Sequence, residues 1–128
     1  MADATLESAM DIERRTMMGG LLAVAACRRE DAMYGLIGKM IAKPGQRDAL
    51  IAILLEGTGE MPGCRSYIVA ADPADPNAIW ITEVWDSEAD HNGSLQLPAV
   101  QEAISRARPL IEGFGERFVT APVGGVGI

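Results

Sequence analysis

The chain carries one histidine and two cysteines in 128 residues. A single imidazole excludes a histidine-rich metal centre within one subunit. Cys27 and Cys64 are too few for a disulfide framework, and their spacing from other ligand types suggests no zinc site. Basic charge is scarce as well: 11 Lys and Arg stand against 18 Asp and Glu, a formal net charge of −7. Nucleic-acid binding needs clustered cations to neutralise phosphates, and no such cluster occurs, so nucleic acid is excluded as a partner. No apolar run reaches the length of a membrane span. What is present is 48% hydrophobic and 23% charged residues, the composition of one globular domain with a real core rather than of a disordered chain.

The stretch 78–86, AIWITEVWD, joins strand chemistry to site chemistry. With period two, Ile79, Ile81, Glu83 and Trp85 point to one face and Ala78, Trp80, Thr82 and Val84 to the other. A carboxylate is thereby placed on an apolar face beside an indole. Such a group must find a hydrogen-bond partner or take up a proton, and in a cavity it is a candidate acid or base. The plainer alternative is that Glu83 pairs with an arginine at a sheet edge or a dimer interface.

Residues 1–30 differ from the rest. Arg14-Arg15 ahead of the short apolar run GGLLAVAAC resembles a twin-arginine export leader, and Val24-Ala25-Ala26-Cys27 matches the small-residue pattern before a lipid-modified cysteine. Two readings stand. One is export to the periplasm, with membrane contact only if Cys27 is lipidated. The other is a cytoplasmic chain whose amphipathic N-terminal helix, weak at Gly19-Gly20, docks on the domain or a neighbour.

The domain proper is predicted over 31–120. Residues 33–42 are apolar on both alternating faces, with Gly35 and Gly38 inside, and read as a strand buried on two sides or closely approached by other backbone. Leu50, Ile53 and Leu54 recur at helical spacing, which predicts an amphipathic helix over 46–58. Met61-Pro62-Gly63 is a turn, 64–71 a second strand, and 72–77 a loop of turn formers closing a hairpin with the third strand. Asp86 or Ser87 caps a further helix with His91 about one turn in. Leu97-Pro98 interrupts, Val100, Ile104 and Ala107 mark a helix to about Arg108, and 109–113 contain its exit. Residues 115–120 form a fourth short strand. The tail 121–128 cannot hold structure unless it lies on something, and is expected on a partner subunit.

Strand, helix, strand, strand, helix, strand is the α+β, ferredoxin-like split βαβ arrangement: a four-stranded antiparallel sheet with helices on one face. The strands are apolar on both faces, with Leu36, Met40, Trp80 and Val84 expected on one side and Ile37, Ile41, Ile79 and Ile81 on the other. An uncovered face of that kind exceeds what a monomer tolerates and predicts a homodimer packed sheet on sheet.

Lys43-Pro44-Gly45, Met61-Pro62-Gly63-Cys64-x-x-Tyr67, Ile81-Thr82-Glu83-Val84-Trp85-x-Ser87, Pro109-Leu110-Ile111 and Arg117-Phe118, in that order, resemble the antibiotic biosynthesis monooxygenase (ABM) family and its quinol monooxygenase-like branch. The resemblance covers about residues 33–120. It implies a dimeric α+β barrel with a pocket between sheet and helices. In catalytic members it implies oxygenation of an electron-rich aromatic, here a quinol or polycyclic phenol, by O₂ without flavin, haem or metal, so no cofactor is expected. Triplet O₂ reacts slowly with closed-shell organics, so the enzyme must deprotonate the substrate and make it the electron donor. That requires a base, an aromatic wall and donors facing the developing oxyanion.

Glu83 and His91 are the candidate bases, with Trp85 as wall and, through its indole N–H, as donor. Tyr34 and Tyr67 are candidate donors or stacking partners in substrate binding, and Asn92 and Arg108 complete the set. By position alone, His91 reads as a solvated histidine at the start of a polar helix. The resemblance would place a pocket-facing histidine one turn later, near Ser94 or Leu95. That speaks against the haem-degrading branch, which relies on a histidine to ligate iron. The alternative function is a non-catalytic, small-molecule-binding or stress-associated dimer of the same fold.

Overall fold

The computed structural model describes residues 32–128. The readings made on residues 1–30, namely the Arg14-Arg15 leader, Gly19-Gly20 and lipidation of Cys27, lie outside the described residues. The elements run β1 (Tyr34–Ala42), α1 (Arg47–Gly57), β2 (Cys64–Ala71), β3 (Ala78–Trp85), α2 (Glu88–Ser94), α3 (Pro98–Ala107), a 3₁₀ turn (Arg108–Leu110) and β4 (Ile111–Thr120). The sheet order is β2-β3-β1-β4 with every neighbouring pair antiparallel, the ferredoxin-like arrangement.

Local chemistry accounts for the joints. In the β2–β3 hairpin loop, Asp72 Oδ1 accepts from the backbone N–H groups of Ala74 at 2.8 Å and Asp75 at 3.2 Å, and Asp75 Oδ1 accepts from Asn77 N–H at 2.9 Å. The loop's carbonyls are gathered from outside. Arg47 Nη1, at the start of α1, donates to Asp75 O at 2.9 Å and Asp72 O at 3.2 Å. Pro98 opens α3, where its missing N–H costs nothing. Leu50 and Ile53 of α1 and Ala103 and Ala107 of α3 pack on Ala42, Ile79 and Ile81 to form the core.

Register corrects the expected faces. Leu36 pairs with Glu83 and Met40 with Ile79, and directly paired residues project to the same side. Leu36 and Met40 therefore share the helix-covered face with Ile79 and Ile81, whereas Trp80, Val84, Ile37 and Ile41 lie on the outer face. Parity within each strand was read correctly; parity between strands depends on the pairing. On the outer face Trp80 Nε1 donates to Asp72 Oδ2 at 3.0 Å, and Lys39 Nζ lies 4.0 Å from the same oxygen.

β4 begins at Ile111 rather than at residue 115. Residues 109–113 read as the helix exit, yet the strand already runs through 111–114, with register shifts against β1. A Cβ at Gly115 would stand 2.9 Å from Lys39 Cδ, so a larger residue there would have to displace the lysine side chain. Gly35 is closely approached by the side chains of Thr120 and Pro122 rather than by backbone, so the C-terminal tail begins by lying on its own β1. Val123 and Val126 beyond it are exposed. Among the described residues no helix is long and apolar enough to cross a membrane.

Candidate active site

The helix-covered face divides in two. Beyond Ile81 the core gives way to a polar cluster. Glu83 stands mid-sheet, with Leu36 of β1 on one side and Tyr67 of β2 on the other, and Trp85 pairs with Tyr34 at the end of the same face. α2 lies over this end. Its start is fixed by Ser87, whose Oγ accepts from Asp90 N–H at 3.1 Å, and by Asp86 N–H donating to Gly63 O at 2.8 Å. Gly63 holds φ of 81°, a conformation glycine adopts without strain.

This placement turns His91 inward. Only 6% of its surface is exposed, and its ring lies 5.4 Å from that of Tyr34 and 5.5 Å from that of Trp85, edge-on to the indole. The expectation of a solvated histidine is thus corrected: the Ser87 cap sets the rotation of α2 and directs residue 91 at the sheet. The place one turn later holds Ser94, buried, with Oγ donating to His91 O at 2.6 Å.

Glu83 Oε1 accepts from Trp85 Nε1 at 3.0 Å and lies 3.9 Å from His91 Nε2. Among the described residues no arginine pairs with Glu83 within ion-pair distance, so the sheet-edge ion pair is not what holds it. Burial pushes the Glu83 carboxyl above its usual range, opposed by the indole hydrogen bond and the field of Arg117. Burial pushes His91 below its usual value; the Asn92 hydrogen bond works against this and Arg117 with it. The contact is therefore between a neutral imidazole and a carboxyl, not a salt bridge. His91 Nδ1 lies 3.3 Å from Asn92 Oδ1. With Nδ1–H donating there, Nε2 keeps its lone pair toward Glu83, at 3.9 Å just beyond direct hydrogen-bond distance. The indole N–H is engaged by Glu83, so Trp85 acts on the carboxyl and offers its ring as wall.

Tyr67 shares the face, and burial, with Glu83 next in weight, drives its phenol far above the usual value. Burial pushes the Cys64 thiol up, opposed by its 3.6 Å contact with Ser66 O and reinforced by Glu83. Asn92 joins the cluster through His91. Arg108 does not: it is exposed in the 3₁₀ turn before Ile111, which pairs with Ala42 at the far end of β1 from Tyr34. At about 3.3 Å per residue, the length of β1 separates them.

Arg117 was not among the sequence candidates, although the motif Arg117-Phe118 contains it. On β4 it pairs with Gly38, which pairs on its other side with Ile81, so its side chain belongs to the helix-covered face. Its Nη2 is closed off from solvent without a hydrogen-bond partner, and the same holds for Tyr34 Oη. Beside Arg117 the face is open, since a Cβ added at Gly38 would meet no atom within 4 Å, and the guanidinium acts on the Tyr34 phenol. The available signal was a lone Arg in an alternating strand, legible only once β4 is in register. Among the described residues no three His, Cys, Asp or Glu side chains gather as a metal site.

Residues 33–106 match the family model described as antibiotic biosynthesis monooxygenase. Among solved structures, one from Chloroflexus aurantiacus J-10-fl, titled as a candidate antibiotic biosynthesis monooxygenase, is 68% identical with a TM-score of 0.74, over 75% of this chain and 98% of that one. A structure from Bacteroides thetaiotaomicron VPI-5482, titled in the same way, is 17% identical with a TM-score of 0.66, covering 76% of this chain and 95% of that one. A Pseudomonas aeruginosa structure is 18% identical with a TM-score of 0.64, covering 73% and 96%. The last two share the fold. No curated protein matches the chain.

Proposed function

Because the chain belongs to the antibiotic biosynthesis monooxygenase family, we propose that it oxygenates a quinol or polycyclic phenol with O₂ and without a cofactor. The observation carrying this reading is the carboxyl of Glu83, buried on a sheet face, tied at 3.0 Å to the indole of Trp85 and 3.9 Å from a buried neutral imidazole.

In this reading the substrate ring lies against Trp85 over the open space at Gly38. Glu83, in its carboxylate form, removes the acidic proton, and His91 Nε2, 3.9 Å away, receives it in turn through one bridging water or once substrate binding closes the gap. The resulting anion is a one-electron donor to O₂; recombination forms a carbon–oxygen bond, and loss of water leaves a carbonyl. The balance closes: a ring CH₂, in the keto form, and O₂ become C=O and H₂O, with both hydrogens drawn from the substrate. Burial of the pair matters because a carboxyl with a raised pKa is a stronger base when ionised and is better matched to a phenolic proton. The reading includes a second copy of the chain packed on the outer sheet face, where Ile68 and Phe118 stand 55% and 51% exposed beside Ile37 and Val84.

The test is oxygen uptake by metal-free and flavin-free protein with a reduced naphthoquinol or an anthrone. Uptake well above autoxidation that falls at least tenfold in Glu83→Gln and clearly in Trp85→Phe is expected. A rate equal to the protein-free control with both substrate classes would overturn the reading and leave a binding module of the same fold.

A further inference from the structure

Tyr34 and Arg117 are the polar side chains of the pocket that the proton-transfer chemistry leaves unused. Each has a terminal atom sealed from solvent with no well-formed hydrogen bond, Oη in one and Nη2 in the other, and the two side chains stand close enough for the guanidinium to act on the phenol. A buried hydroxyl and a buried guanidinium N–H without partners are costly to keep, and native proteins retain such groups where something else completes them. Both flank one space. Tyr34 and Gly38 lie on the same face of β1, Arg117 is the β4 partner of Gly38, and a Cβ on Gly38 would touch nothing within 4 Å. The two donors and the open space over Gly38 thus share one sheet face with Glu83 and Trp85, with Leu36 between Gly38 and Tyr34.

We propose, resting on the reading of this space as the substrate pocket, that Tyr34 Oη and Arg117 Nη2 form a subsite for one negatively charged oxygen group on the aromatic ligand. A guanidinium and a phenolic O–H converging on one space suit a carboxylate or a ring oxyanion, both planar and singly charged. A dianion is a poor fit. Burial first, and then the Glu88 and Glu83 carboxyls, raise the Tyr34 phenol against the opposing Arg117 guanidinium, so one positive charge faces two carboxyls and a second negative charge on the ligand would meet like charge. The ligand class is therefore a hydroxylated polycyclic aromatic that is acidic, through a carboxyl substituent or through its ring hydroxyl.

Calorimetric binding at neutral pH with non-reacting probes tests this apart from any turnover. The probes are 1-naphthoate, 4-nitro-1-naphthol ionised at its ring oxygen, neutral 1-naphthol and 1-naphthyl phosphate. Preference for 1-naphthoate over 1-naphthol by about tenfold or more, abolished in Arg117→Gln and reduced in Tyr34→Phe, supports the subsite with a carboxylate as its ligand. The same preference for the nitronaphthol anion, also lost in Arg117→Gln, supports it with the ring oxygen as its ligand. Phosphate bound as tightly as carboxylate, or anion preference unchanged in Arg117→Gln, overturns it. Gly38→Val guards against a folding artefact: the added side chain has room and suits a strand, so the melting temperature should hold while binding of every probe is lost. Retained binding in Gly38→Val would place the ligand elsewhere and overturn the proposal. None of these measurements consumes oxygen, so failure of the anion subsite and failure of the oxygenase reading are told apart.

Discussion

At the scale of the residue, the consequential fact is a carboxyl kept where its charge is disfavoured. The folded pKa of Glu83 is raised above the unfolded value of about 4.3. The sign follows from linkage. Below the unfolded value the group is neutral in both states and costs nothing; as pH rises through the folded value, ionisation in the unfolded chain outpaces that in the folded one and stability falls. Glu83→Gln is therefore expected to raise the melting temperature by a few degrees at neutral pH, a gain that vanishes below about pH 4, while oxygen uptake is lost. His91 works in the opposite window. Its folded value is lowered, so stability is present above about pH 6.5 and lost as pH falls through the folded value. His91→Gln should flatten that acid-side loss in a series of thermal melts. The Glu83–Trp85 neighbourhood was legible in the sequence because period two within one strand suffices to place it. His91 stands out as a candidate base, but its inward direction was not legible, because that depends on the rotation of α2; Arg117 was missed, because its direction depends on a β4 register interrupted by bulges.

At the scale of the element, α2 carries the imidazole on seven residues. A helix that short draws most of its stability from its ends and from packing. The Ser87 hydroxyl on Asp90 N–H and the Asp86 N–H on Gly63 O fix the first turn. Ser87→Ala is expected to cost about 1 kcal/mol in denaturant unfolding. It should also lower turnover by more than that loss of folded protein explains, since His91 then no longer holds its position over Glu83. Gly63→Ala should cost at least as much, roughly 1–2 kcal/mol, because φ is positive there and the Asp90 side chain fills the space a Cβ would take. Both elements were legible in sequence, the cap from Asp86-Ser87 and the turn from Met61-Pro62-Gly63. Their joint role in aiming one histidine was not, since it arises where two distant segments meet.

At the scale of the molecule, the sequence made plain that both sheet faces are apolar and left open which residues share one. The outer set contains Ile37, Val84, Ile68 and Phe118, with Ile68 and Phe118 more than half exposed. Sedimentation of the full chain is expected to give a dimer, and Ile68→Lys with Phe118→Lys a monomer, with the secondary structure of each unchanged by circular dichroism. A monomeric unmodified chain would remove the second copy from the reading. The clasp of Arg47 also bears on the order of assembly. Its guanidinium reaches carbonyls 25 and 28 residues along the chain, so the first turn of α1 cannot dock until β2 and β3 have met. Helix start and hairpin loop should then gain and lose amide-exchange protection as one cooperative unit, a step removed from the Glu83–His91 cluster at the opposite end of the sheet.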